Sequence, residues 1–339
     1  MRPDITQLIK TLKRGKASYV PIVELGVHPV IKEKFLGHPL HSLRDDVEFW
    51  RRAGYDYIKL QPAADFNPDR IGIGDKMTFK DGSLSYNWAQ EGKGVITDWA
   101  EFEAYRFPAA ADFGYGNFDC IKNFLPDGLG VIGQYGDIFT MTWEMMGFEA
   151  FSLCLFENPE LIRALNNRLG NLVLNMFEFF AQHDAVDIIW YSDDIAYSNG
   201  LLVSPDVLRE FFFPWLRKIG DLAKLYNKPL IYHTDGLLYD IFDEIIACGV
   251  DAIHPIEPKA MQIAEVKQRY GKQLCLIGNV DVDLLSRGSV EQVKAQVKSN
   301  IECAAYNGGY CVGSGNSIPD YVNFENYLAM LQAAKEYGE

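Results

Sequence analysis

The residues best placed to do chemistry in this chain of 339 residues are a histidine and an aspartate two positions apart in "YHTDG", Tyr232 to Gly236. His233 closes the apolar run "PLIYH", and an imidazole that titrates near neutrality serves as a proton carrier or a metal ligand. Its plainer role is a bond to a neighbouring loop carbonyl. Asp235 is a second ligand or orients His233, but "DG" is also a turn signal, and the aspartate could equally cap a helix in "LLYDIFDEII". Asp193 and Asp194 end another run, "VDIIWYSDD"; strand alternation sends them to opposite faces, so only one enters a pocket directly. A buried pair of adjacent carboxylates would raise one pKa and supply a general acid, whereas a solvated loop with an N-cap would not. Glu257 is fixed between Ile256 and Pro258 by extended backbone. With His233 and Asp194 it completes the candidate catalytic set. His254, three residues earlier, reads as a satisfied core histidine.

Four further strand-end residues, Tyr135, Tyr191, Asn279 and Asn316, join Glu24 as candidate substrate-binding groups. Glu24 sits between Val23 and Leu25, where a carboxylate is costly unless paired or at a pocket. The flat aromatic groups, among them Tyr135, Trp190, Tyr191 and Trp88, suit a flat apolar substrate. Cys311, flanked by Tyr310 and Val312, reads as a core thiol, and "GSGNS" at Gly313 to Ser317 is a weak anion-cradle signal.

These positions need elements that bring them together. Eight apolar runs end near Glu24, Gln61, Gln134, Asp193, His233, Glu257, Asn279 and Asn316, and helix-like segments separate most of them. "SPDVLREFFFPWLRKIGDLAKLY" opens on Ser204 and Pro205 as N-cap and first helical residue. "MQIAEVKQRYG" closes on Gly271, and "SVEQVKAQVKSNIECAAYNGG" carries a Ser289/Gln292 capping box and ends at Gly308. Eight near-continuous apolar strands with helical crossovers predict an α/β fold, a (β/α)8 TIM barrel, with a doubly wound sheet as the rival. In such a barrel the C-terminal strand ends converge on one mouth. Residues 66–118 are too long for a simple crossover; they predict an inserted hairpin after the second strand, turning at "KDGSL", as a lid or pocket wall. No linker or repeat divides the chain, so residues 1–339 are read as one domain.

A formal charge of −14 disfavours nucleic acid and anionic membranes as partners. The six cysteines show no CxxC pairing and read as reduced. Without a signal-like N-terminus or an apolar run long enough to span a bilayer, the expected location is cytoplasmic.

Laid out this way, the chain resembles the uroporphyrinogen decarboxylase superfamily. The likeness rests on "SDDIAYSNGLLVSPDVLREFFFPWLRKI", "YHTDG", "GVDAIHPIEP", "KQRYGKQLCLIGNVD" and "GGYCVGSGNSIPDYVNFENYLAMLQAAKEYG". It implies a (β/α)8 barrel and one of two activities. Decarboxylases of the superfamily hold a porphyrinogen through arginines after the first strand, where this chain reads "VPIVELGVHPV" with Glu24 and His28 and no arginine. The other branch, the corrinoid-dependent methyltransferases, moves a methyl group between a small molecule and a separate cobalamin-carrying protein. Its coenzyme M members bind zinc through His-x-Cys and a later cysteine; here Asp235 and Asn316 stand in the cysteine places beside His233. The resemblance therefore implies a methyltransferase acting on a methoxylated or methylated small molecule. His233 and Asp235, helped by Asp194 or Glu257, would hold zinc or protonate a leaving oxygen. The expected partners are a small-molecule substrate and a corrinoid protein carrying the cobalamin; a homodimer is left open. The alternatives are a decarboxylase of porphyrin metabolism and a non-catalytic small-molecule-binding barrel.

Overall fold

A computed structural model describes residues 2–64, 66, 76–78, 84–86 and 94–339. Its centre is a parallel sheet of seven strands in strictly sequential order. They are β1 (Tyr57–Leu60), β2 (Gly130–Gly136), β3 (Ile188–Ser192), β4 (Leu230–His233), β5 (Ala252–His254), β6 (Cys275–Val280) and β7 (Tyr310–Ser314). Sequential parallel order with helical crossovers is the connectivity of a (β/α)8 barrel.

The run "VPIVEL", expected as an eighth strand, is reduced to a single parallel bridge, Ile22 to Val312. Two backbone bonds hold it to β7: Val23 N–H to the Val312 carbonyl at 2.8 Å, and Val312 N–H to the Pro21 carbonyl at 2.9 Å. Pro21 has no N–H to extend the ladder. Toward β1 the place of the ladder is taken by one side chain, since the Tyr57 hydroxyl donates to the Glu24 carbonyl and accepts from the Glu24 N–H, both at 2.8 Å. The segment is thereby fastened on both sides.

Both strand faces are buried, and alternation sorts them. Tyr191 of β3 and Tyr232 of β4 point outward and stack on each other at 6.0 Å, against Phe177 and Phe212. Trp190 and His254 meet edge to face at 5.1 Å. Burying rings of this size contributes roughly 1.5–3 kcal/mol each, which fixes the strand faces that the site depends on.

The helix read over "SPDVLREFFFPWLRKIGDLAKLY" is two helices, Pro205–Phe211 and Phe213–Leu225. Pro214 breaks it, lacking an N–H and clashing with the preceding turn. Ser204 caps the first as expected, accepting from the Val207 N–H at 3.4 Å. The Ser289/Gln292 capping box is present, although Val290–Ala304 ends on Ala305 rather than Gly308. Asp235 caps no helix: Phe242–Ala247 starts beyond Ile241. Within the expected insertion, Lys76–Thr78 pairs antiparallel with Leu84–Tyr86. Most of the "KDGSL" turn, and Trp88, lie outside the described residues. Among the described residues no helix is long and apolar enough to cross a membrane.

Candidate active site at the barrel mouth

Register assembles the site. Ser192 pairs with His233 and His233 with His254, so β3, β4 and β5 end level with one another. Beyond those ends lies a cleft of about 400 Å³ lined by Asp194, Ser198, Asp235, Glu257, Asn316 and the exposed Tyr321, with Lys259, Asp281 and Asp283 on its rim.

His233 is 5% exposed. Its Nδ1 lies 2.8 Å from Nδ1 of His254, so one ring donates and the other accepts. Its Nε2 lies 3.7 Å from Asp194 Oδ1, too long for a hydrogen bond. Burial holds His233 below its ordinary pKa, and the Asp194 charge opposes that shift. A neutral ring whose Nδ1 donates to His254 presents the Nε2 lone pair to the cleft. His254 thus orients a site residue, which its sequence context did not reveal; parallel register is invisible in a single chain.

Asp194 accepts from the Asp235 N–H at 2.9 Å. Asp235 Oδ2 accepts from Asn316 Nδ2 at 2.6 Å, whereas Asp235 Oδ1 is buried with no partner among the described residues. Burial, then the charges of Asp194 and Glu257, push the Asp235 carboxyl up to about 8, against the Asn316 hydrogen bond. Glu257 is more fully engaged: it accepts from Ser198 Oγ at 2.7 Å and from the Gly236 N–H at 2.9 Å. Gly236 sits at φ +95°, and a Cβ there would lie 2.5 Å from the Tyr197 nitrogen. Only glycine lets the chain turn here and keeps Asp235 facing the cleft.

Asp193 and Asp194 do diverge. Asp193, 1% exposed, accepts from the Tyr191 hydroxyl at 2.5 Å and from the Phe139 and Thr140 N–H groups at 2.7 and 2.9 Å, at the start of helix Ile138–Met146. Burial pushes it up to about 6 against those bonds. It anchors a helix while its neighbour faces the cleft.

The remaining expected site residues are placed elsewhere. Glu24 is fully buried, accepting from the Ser314 N–H at 2.7 Å and the Ser314 hydroxyl at 2.6 Å, and burial pushes it up to about 8. Tyr191 points outward into the aromatic layer. Asn279, at φ +81°, donates to the Ile256 carbonyl at 2.7 Å. Tyr135 stacks on Phe66 at 5.9 Å. None of these four lines the cleft. Ser198 carried no sequence signal. Lys59 did, as a charge inside the apolar run "YIKL".

The donor set fits a metal ion. One ligand atom each from Asp194, His233 and Asp235 lies within 4.8 Å of the others. A cation there would relieve the Asp194–Asp235 repulsion and give the orphaned Oδ1 of Asp235 a partner. One imidazole nitrogen and two carboxylates form a set that zinc accepts.

The chain matches the family described as uroporphyrinogen decarboxylase (URO-D) over residues 48–337. A uroporphyrinogen decarboxylase from Trichodesmium erythraeum (strain IMS101) is 25% identical over 183 residues, 53% of this chain. That match spans 49% of the relative, about half its length. A methyltransferase from Methanosarcina mazei shares the fold over 98% of both chains, with a TM-score of 0.71 at 19% identity.

Proposed function

The chain belongs to the uroporphyrinogen decarboxylase family, and from that premise we propose that it is the methyltransferase component of a corrinoid-dependent system. It moves a methyl group between a small, methoxylated substrate and a cobalamin carried by a separate protein. The observation that carries this reading is the Asp235 carboxyl, half-satisfied by Asn316 and facing His233 and Asp194. The resemblance places it where the zinc-binding members of the methyltransferase branch carry a thiolate.

In the transfer, the methyl–oxygen bond breaks with its electron pair going to oxygen, and the carbon takes a new pair from cob(I)alamin. The departing oxygen needs its charge neutralised. Asp235, with its carboxyl raised to about 8, keeps a proton near neutrality and can deliver it to that oxygen. His233 Nε2 is aimed at the same place, oriented by His254. Asp194 and Glu257 hold the Asp235–Gly236 loop through its two N–H groups. Where zinc is bound, His233, Asp235 and Asp194 would hold it, and it would supply Lewis-acid polarisation of the substrate oxygen.

The charge of the cleft speaks against a porphyrinogen. Among the described residues its lining holds Asp194, Asp235, Glu257, Asp281 and Asp283 and one cation, Lys259, already paired with Asp283. A substrate with many carboxylates would be repelled there. The test is incubation with cob(I)alamin and a panel of methoxylated donors, followed by absorbance. Methylcobalamin is the expected product; its absence, with coproporphyrinogen formed from uroporphyrinogen III, would overturn the reading.

A further inference from the structure

Across the barrel from Asp235 the chemistry reverses. Lys59 lies on β1, three strands from β4, and is half-buried. Its ammonium donates to Gln134 Oε1 of β2 at 3.3 Å. Among the described residues it makes no ion pair. The same Gln134 oxygen also accepts from Gln61 Nε2, while Gln134 Nε2 donates to Ser192 Oγ at 2.9 Å. Two donors therefore converge on a single neutral oxygen, and the lysine keeps unused N–H groups.

A lysine enclosed without a carboxylate is costly unless something else supplies the counter-charge. Burial and then the Lys32 charge push Lys59 down to about 7, against the Asp46 charge, and Asp46 is itself paired with Lys32 at 2.5 Å. The Lys59 charge also acts on His233 and His254, so the two sides of the mouth share one interior. Among the described residues no carboxylate lies within ion-pairing distance of Lys59, in a mouth otherwise rich in Asp194, Asp235 and Glu257. The missing partner fits a ligand group.

We propose that Lys59, with Gln61 and Gln134 beside it, is the receptor for a carboxylate on the substrate. The methyl donor is then a methoxylated acid, its anionic end at β1 and its reacting oxygen toward His233 and Asp235. This deepens the methyl-transfer reading and rests on it for the identity of the reacting end. The receptor itself is independent of turnover.

Titration calorimetry on the full chain, without corrinoid protein, separates the two. The probes are 3-methoxybenzoate, neutral methoxybenzene and inorganic phosphate, each against wild type and Lys59→Met. Loss of one charge-assisted bond weakens 3-methoxybenzoate about 10- to 100-fold, with methoxybenzene unchanged. The Lys59→Met chain is expected to melt no lower than wild type, which shows that it folds. Equal affinity of both chains for 3-methoxybenzoate, parallel loss of methoxybenzene, Lys59-dependent binding of phosphate alone, or no binding of any probe overturns the assignment. Lys59-dependent binding without methylation of cob(I)alamin would sink the methyl-transfer reading and leave the receptor standing. Methylation from neutral and acidic donors at rates indifferent to Lys59→Met would do the reverse.

Discussion

Two buried carboxylates of the barrel wall, Asp193 and Glu24, and two carboxylates of the cleft, Asp194 and Asp235, are built to opposite specifications. On the wall, Asp193 accepts two backbone N–H groups and a tyrosine hydroxyl, and Glu24 accepts two bonds from Ser314. In the cleft, Asp235 keeps one oxygen without a partner, and Asp194 stops 3.7 Å short of His233. Saturated hydrogen bonding marks a carboxylate that holds structure. Incomplete hydrogen bonding in a carboxylate that lines the cleft marks one that waits for a proton, an ion or a substrate, whereas Oδ2 of Asp56, buried with no partner among the described residues, lies away from the cleft.

Substitutions can break that contrast. Asp235→Ala and His233→Ala should each lower methyl transfer by about 10²- to 10⁴-fold while leaving the denaturant midpoint near wild type. A large loss of stability instead would move these residues to the wall class. Asp193→Ala should do the opposite, orphaning the Phe139 and Thr140 N–H groups and costing about 2–4 kcal/mol in urea unfolding. A stable Asp193→Ala chain that has lost only activity would contradict the contrast.

Glu24 gives a pH signature. Its folded pKa is raised to about 8 from an ordinary 4.5. The folded state therefore binds the proton more tightly, and its stability falls as pH rises across that window. Glu24→Gln should flatten this decline and stabilise the fold at pH 8–9 by about 1–3 kcal/mol, as read by melting across pH. An unchanged slope would remove Glu24 from the wall class. The smallest effect is expected at Asn316→Ala, which removes one hydrogen bond to Asp235 and should slow transfer about tenfold; a change in rate beyond 100-fold would make Asn316 a principal site residue rather than a support.

The strand ends were legible because a parallel barrel strand is an apolar run whose first polar residue falls at the mouth. That logic found His233, Asp235, Asp194, Glu257 and Asn316, all at the cleft or beside it, and Asn316 bonds Asp235. It failed for Tyr191 and Asn279 because both faces of such strands are apolar, so parity is not written in the pattern. Glu24 was rightly marked as needing a partner, but the partner, Ser314, lies 290 residues away. The reduced first strand and the broken helix were legible in principle, in Pro21 and Pro214. His254 depends on register, which only the fold supplies, and for Lys59, visible as a charge in an apolar run, the fold supplies the bond to Gln134.

We assign methyl transfer to Asp235 and His233. It is tested most directly by the rate of methylcobalamin formation from cob(I)alamin and a methoxylated donor, measured for wild type and Asp235→Ala. Wild type is expected to form it, with a fall of at least about 100-fold in the variant. Equal rates in the two chains would contradict it.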